Sequence, residues 1–169
     1  MKVVKIILKV IAIVLAVVIV VVGGYAVYLF ASYHRLGDMS VTPKGTAANE
    51  NISTGVEYKI ASFNIGFGAY EADYDFFMDG GSQSWAQSKE RLDTNLKNIA
   101  ETMYDLNADI YFLQEVDKDG TRTYHVDERK YFTDKFTDMA YIYAPNFDSS
   151  FIAYPFTQPH GTNKSGIMT

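Results

Sequence analysis

The hydrophobic pattern of the chain begins with one long apolar run. Residues 10–33, VIAIVLAVVIVVVGGYAVYLFASY, form a stretch of 24 positions without a charge, nearly all of them aliphatic. This exceeds the roughly 20 residues that a helix needs to cross the core of a bilayer. The pattern predicts a transmembrane anchor within residues 1–34. Residues 35–55, rich in Gly, Ser, Thr and Asn, are predicted to be a flexible linker.

The charges on either side of the run indicate its orientation. Lys2, Lys5 and Lys9 precede it, whereas Arg35 and Lys44 follow it among acidic residues. Because basic flanks stay in the cytoplasm, we predict a single-pass protein of the cell membrane with a cytoplasmic N-terminus and an extracellular C-terminal domain. A cleaved signal peptide is the alternative. The length of the run and the lack of a clear small-x-small site after it favour an anchor that is retained.

Strand-like and helix-like patterns alternate in residues 56–169, which we predict to be one α/β domain. Leu92, Leu96, Ile99 and Met103 recur at helical spacing between charged residues. Ser84 and Gln87 are predicted to form the capping box of that helix. The predicted elements are a strand at 57–63, a loop at 71–84, a helix at 85–107, a strand at 109–115, a helix at 128–137, a strand at 140–145 and the start of a strand in SGIMT at 165–169.

Strand, helix and strand in this order indicate a βαβ-like unit. So few elements cannot bury a core on both faces of a sheet, and the chain stops where a strand begins. We therefore expect a truncated domain, the N-terminal portion of a longer protein.

Composition narrows the classes of function. The chain has no cysteine, which excludes disulfides, thiolate metal sites and a cysteine nucleophile. Beyond residue 35 it has 11 Lys and Arg and 20 Asp and Glu, a formal charge of −9 (11 − 20). Tight binding to duplex DNA normally needs a basic surface, so a nucleic-acid-binding module is disfavoured.

Two polar residues follow successive predicted strands. Asn64 ends ASFN, and Glu115 ends the apolar run ADIYFLQE. Polar groups converge at strand C-termini in layered α/β folds, and Mg²⁺ takes carboxylate and amide oxygens while keeping several waters. Taken singly, an Asn before Ile-Gly is also typical of a turn, and a lone Glu is also typical of a solvated or capping group. The two residues are candidates for half of a Mg²⁺ (or Mn²⁺) site.

The pair ASFNIG and DIYFLQEV, separated by a helix, resembles the endonuclease/exonuclease/phosphatase superfamily. The resemblance covers residues 57–169 and implies the N-terminal part of a DNase I-like four-layered α/β sandwich, here preceded by one transmembrane helix. It implies that Glu115 is the metal ligand, that Asn64 positions the metal-bound water or the substrate phosphate, and that Gln114 supports Glu115. The family's later elements, a catalytic His, an Asp-x-Asn pair and a Ser-Asp-His, are expected after Glu115, and that part of the chain contains no Asp-x-Asn and no Ser-Asp-His.

Three further residues are candidates for binding a substrate. Arg122 and His125 follow Glu115 closely, and a planar guanidinium suits a phosphate. An exposed turn after DKDG is the alternative for this tract. Lys164, in HGTNKSG, is a candidate for steering phosphate, and a flexible polar loop is the alternative there.

The resemblance implies a membrane-anchored, metal-dependent phosphohydrolase of the phosphodiesterase, phosphatase or nuclease type, with a phosphoester substrate. A non-catalytic anchored module, or an inactive fragment of such an enzyme, is the competing hypothesis.

Overall fold

The computed structural model describes residues 2–33, 35–46 and 51–169. Contacts divide the chain into two compact units, residues 1–34 and 35–169. The first unit contains one helix, α1 (Lys2–Ser32), of 31 residues with no buried side chain. At about 1.5 Å per residue it is roughly 46 Å long. It is long and apolar enough to cross a membrane, as the pattern of residues 10–33 predicts.

The second unit contains a four-stranded sheet and a two-stranded sheet. In chain order its elements are β1 (Lys44–Gly45), β2 (Ile60–Asn64), α2 (Lys89–Leu106), β3 (Ile110–Gly120), α3 (Glu128–Lys135), β4 (Ala140–Tyr141), β5 (Tyr143–Asp148) and β6 (Asn163–Met168). The large sheet has the strand order β2-β3-β6-β5, in which β2 and β3 are parallel and the other pairs are antiparallel.

The predicted flexible linker contributes a short strand, β1, to the second unit. Lys44 lies opposite Tyr141, and Gly45 lies opposite Ala140, in the antiparallel sheet of β1 and β4. The Thr46 hydroxyl donates to the Thr137 carbonyl over 2.7 Å. Residues 47–50 of the predicted linker lie outside the described residues.

The prediction for the start of α2 is wrong. The helix begins at Lys89, and the side chain of Ser88 accepts the backbone N–H of Arg91 at 3.1 Å. Ser84 does not cap the helix, because its hydroxyl donates to the backbone carbonyl of Gln158 and holds the preceding segment outside the helix. The observed N-cap, Ser88, therefore lies four positions after the predicted one, Ser84.

Two strands extend further than their apolar patterns predict. β3 continues from Glu115 to Gly120 because β6 pairs with it along this polar part. β6 begins at Asn163, two residues before SGIMT. The predicted strand at 140–145 is instead two strands, β4 and β5, interrupted at Ile142.

The hydrophobic core covers one face of the large sheet. Leu113 and Val116 of β3 are 2% and 0% exposed and belong to one buried cluster with Leu92 and Leu96 of α2 and Phe132 of α3. On the opposite face, three apolar side chains remain between 38% and 59% exposed: Ile60, Phe112 and Ile167. The mixed α/β class is confirmed, and the four-layered sandwich stays a prediction.

Candidate functional site

Asn64 and Glu115, the two predicted metal-site residues, lie next to each other. Parallel pairing places Asn64 opposite Gln114, so the end of β2 meets the middle of β3. The Asn64 Nδ2 atom donates to Glu115 Oε1 over 2.9 Å in an exposed position. The strand order thus joins two side chains that are 51 positions apart in sequence.

Glu115 has an unusual backbone conformation. Its φ is 56°, in the left-handed region, which costs a residue with a Cβ roughly 1–2 kcal/mol. The residue lies in an irregularity of the β3–β6 ladder, between the pairs Leu113–Met168 and Val116–Gly166. Such bulges redirect a side chain out of the alternating pattern and are common beside functional sites.

The loop after Asn64 is also left-handed, and it fixes the Asn64 side chain. Gly66, Phe67 and Gly68 have φ values of 54°, 41° and 63°. The Gly66 N–H donates to Asn64 Oδ1 over 2.9 Å, so both ends of the Asn64 amide are engaged. Phe67 is fully buried and anchors the loop, which holds Asn64 in one orientation toward Glu115.

Gln114 does not support Glu115 through a hydrogen bond, contrary to what the resemblance implies. Its Nε2 atom donates to Ser62 Oγ at 3.2 Å and to the Phe112 carbonyl at 3.0 Å. Successive side chains of β3 point to opposite faces of the sheet, so Gln114 lies on the same face as Phe112. From there its amide reaches Ser62 on the neighbouring strand β2. Asn64 supplies the contact to Glu115 instead.

Arg122 lies inside the domain, where its guanidinium is already engaged. Its Nε and Nη2 atoms donate to the two oxygens of Asp117 at 2.9 and 2.8 Å, and its Cζ atom lies 3.8 Å from the centre of the Phe67 ring. Burial acts to lower the pKa of Arg122, but the hydrogen bonds and charge of Asp117 raise it overall. This geometry favours a structural role, in which Arg122 ties the loop after Asn64 to β3.

A buried carboxyl group next to this pair escaped sequence analysis. Glu128 is 0% exposed, and its Oε2 atom accepts the Asp117 N–H at 2.7 Å. Burial first, and then the charge of Asp117, raise the pKa of Glu128 well above its ordinary value. The sequence shows this residue only as an acidic group in the first turn of a helix, so no pattern distinguishes it from a solvated one.

His125 and Lys164 both neighbour Asp119, which lies further along β3 than Glu115. His125 Nδ1 lies 2.7 Å from Asp119 Oδ1, with both side chains more than half exposed. Asp119 is the register partner of Lys164 on β6. Asp119 is four residues from Glu115, or roughly 13 Å along an extended strand. His125 and Lys164 therefore neighbour a position further along β3 than the Asn64–Glu115 pair, and Asp119 is the member of this group that sequence analysis missed.

The oxygen donors at the Asn64–Glu115 pair suit a hard cation with most of its ligands from elsewhere. Glu115 provides one carboxylate, and Mg²⁺ in proteins is commonly held by one or two carboxylates together with waters and substrate phosphates. Among residues 2–33, 35–46 and 51–169, no group of three or more His, Asp or Glu side chains is arranged to hold a metal ion. The Asn64–Glu115 pair therefore suits a metal site to which the protein contributes a single carboxylate ligand.

Comparisons with known proteins leave the family of the chain open. Neither a protein-family model, nor a curated protein, nor a solved structure matches it.

Proposed function

We propose that the chain is a membrane-anchored, metal-dependent phosphohydrolase related to the endonuclease/exonuclease/phosphatase superfamily. The observation that carries the proposal is the 2.9 Å contact between Asn64 and Glu115 at adjacent parallel strands, with Glu115 held at a φ of 56°. The motif DIYFLQEV supports it, because Glu115 is the Glu of that motif. The apolar α1 supports a membrane anchor, and the three Lys residues before residue 10 support a second unit outside the cell.

In this proposal Glu115 binds a divalent cation, Mg²⁺ or Mn²⁺. Asn64 donates to Oε1 and so orients the carboxylate, and the remaining oxygen is the ligand. The cation would offset the charge that develops on the phosphoryl group of a phosphoester. The acidic second unit favours a small phosphodiester, a phospholipid headgroup or a sugar phosphate over duplex DNA.

The test is metal binding and hydrolysis by the full chain in lipid nanodiscs. Glu115→Gln should abolish Mn²⁺ binding, measured by electron paramagnetic resonance, and metal-dependent hydrolysis of bis(p-nitrophenyl) phosphate. Asn64→Ala should weaken Mn²⁺ binding by roughly 10–100-fold, because it removes the group that orients the ligand. Glu101→Gln, an exposed carboxylate on α2, is the matched control and should change neither.

The second candidate function is a non-catalytic anchored module. The observation favouring it is the single carboxylate at the site, with no histidine beside it in the described part of the chain. Wild-type protein that binds no Mn²⁺, with Glu115→Gln indistinguishable from it, would establish this alternative and refute the phosphohydrolase.

A further inference from the structure

A groove with both polar and apolar lining lies directly beside Asn64. It has a volume of about 240 Å³ and runs between the loop after β2 and one face of α2. Drug-sized ligand pockets are typically about 300–1,000 Å³, so this groove suits a smaller group. Asn64 itself forms part of the lining, and it also donates to Glu115 Oε1, so one residue borders both the groove and the proposed metal site.

The polar lining is rich in amides. Asn95 and Asn98, three positions apart on α2, face the groove together with Asn64. The Asn95 Nδ2 atom donates to the Gly68 carbonyl at 2.8 Å, which fixes its orientation and leaves its Oδ1 atom without a partner among the described residues. The Asn98 amide also has no hydrogen-bond partner there. An amide both donates and accepts, as a sugar or glycerol hydroxyl does.

Aromatic and aliphatic surface completes the groove. The Tyr70 ring is held by an edge contact with Phe67, at 5.6 Å between ring centres, and its hydroxyl donates to Asp79 at 3.1 Å. Ile99 adds an aliphatic patch from α2. Such surfaces suit the C–H faces of a polyol, whereas the amides suit its hydroxyls.

The charges around the groove disfavour a second phosphate within it. Glu71 is the only charged side chain in its lining, among the described residues, and it is already paired with Arg91. Arg91 also donates to Asp73 at 2.8 Å, so its charge is shared between two carboxylates. An additional anion would meet a carboxylate and no unpaired cation.

From this geometry we infer that the groove binds a small, uncharged, hydroxyl-rich part of a phosphoester, of the glycerol or sugar type. The inference rests on the proposed function, because the phosphate of that ligand would lie at the Asn64–Glu115 pair. Asn98 is then a specificity-determining residue that contacts hydroxyl groups and leaves the phosphate unaffected.

The experiment compares two probes on the full chain in nanodiscs with Mg²⁺, by isothermal titration calorimetry. Glycerol 3-phosphate carries the additional hydroxyls, and methyl phosphate lacks them. We expect wild type to bind glycerol 3-phosphate about tenfold more tightly, from one or two additional net hydrogen bonds. Asn98→Leu should abolish that preference without changing the affinity for methyl phosphate. Asn146→Leu, an exposed Asn on β5, is the matched control and should retain the preference.

The outcomes separate the two proposals. Equal affinity for both probes in wild type, or a preference that survives Asn98→Leu, overturns the groove assignment and leaves the phosphohydrolase standing. A preference that persists in Glu115→Gln without any dependence on Mg²⁺ supports the groove and refutes the metal site. Binding of neither probe overturns both.

Discussion

Replacing Glu128 by Gln tests the buried network under β3. The carboxyl is fully buried, and only its Oε2 atom has a hydrogen bond among the described residues, from the Asp117 N–H. Gln keeps the shape and can present its carbonyl oxygen to the same N–H. Its amide nitrogen then occupies the unpaired position, much as the protonated oxygen does in the wild type. The substitution therefore mainly removes the ability to ionise.

The raised pKa of Glu128 determines whether stability rises or falls with pH. Because the pKa of Glu128 is higher in the folded state than its ordinary value of 4.5, the stabilisation it provides is complete below that value and is lost as the pH rises toward the folded-state pKa. Each pH unit in this window lowers the stability of the wild type by about 1.4 kcal/mol through this group. The Gln variant lacks that loss, so its free energy of unfolding relative to the wild type should rise by about 1.4 kcal/mol for each pH unit within this window.

Urea denaturation of the full chain in mild detergent micelles measures the difference. Trp85 is the only tryptophan, and its Nε1 atom donates to the Pro159 carbonyl, so its fluorescence reports the unfolding of the second unit. Other titrating groups are present in both proteins and cancel in the comparison. Parallel stability profiles for the two proteins from pH 5 to 8 would show that Glu128 is ionised in the fold and would refute the reasoning.

Two other predictions concern the ion pair and the membrane topology. Asp117→Asn leaves the Arg122 guanidinium buried beside a neutral amide and should destabilise the second unit by about 3–5 kcal/mol; an unchanged urea midpoint would show that the pair is not needed. Lys118→Cys introduces a single thiol into a chain without cysteine. On intact cells it should react with a membrane-impermeant maleimide, and labelling only after lysis would place the second unit inside the cell.

The parts of the fold that sequence analysis predicted depend on strong local patterns. α1 follows from an uninterrupted apolar run, and α2 from apolar residues at helical spacing. The proximity of Asn64 and Glu115 follows from the parallel pairing of the two apolar runs, whose register places Asn64 opposite Gln114. These features require no knowledge of distant contacts beyond the pairing of β2 with β3.

The parts that sequence analysis missed depend on contacts between segments. The tract around Arg122 is polar and follows DKDG, which is typical of an exposed turn, yet a 3-10 turn at Thr121–Thr123 folds it back onto Asp117. The N-cap was misplaced because Ser84 and Ser88 look equivalent locally, and only the contact with Gln158 distinguishes them. The left-handed conformation of Glu115 accompanies an irregularity in the pairing of β3 with β6. No residue type in the sequence predicts that irregularity.

The pairing of β2 with β3 also has a kinetic consequence. Asn64 and Glu115 meet only after a segment of about 50 residues has closed, and closing a long loop costs entropy before the strand contacts compensate for it. α2, which lies within that segment, depends on local contacts and can form earlier. The Asn64–Glu115 contact should therefore form after α2 in folding, so the site itself would report the pairing of β2 with β3.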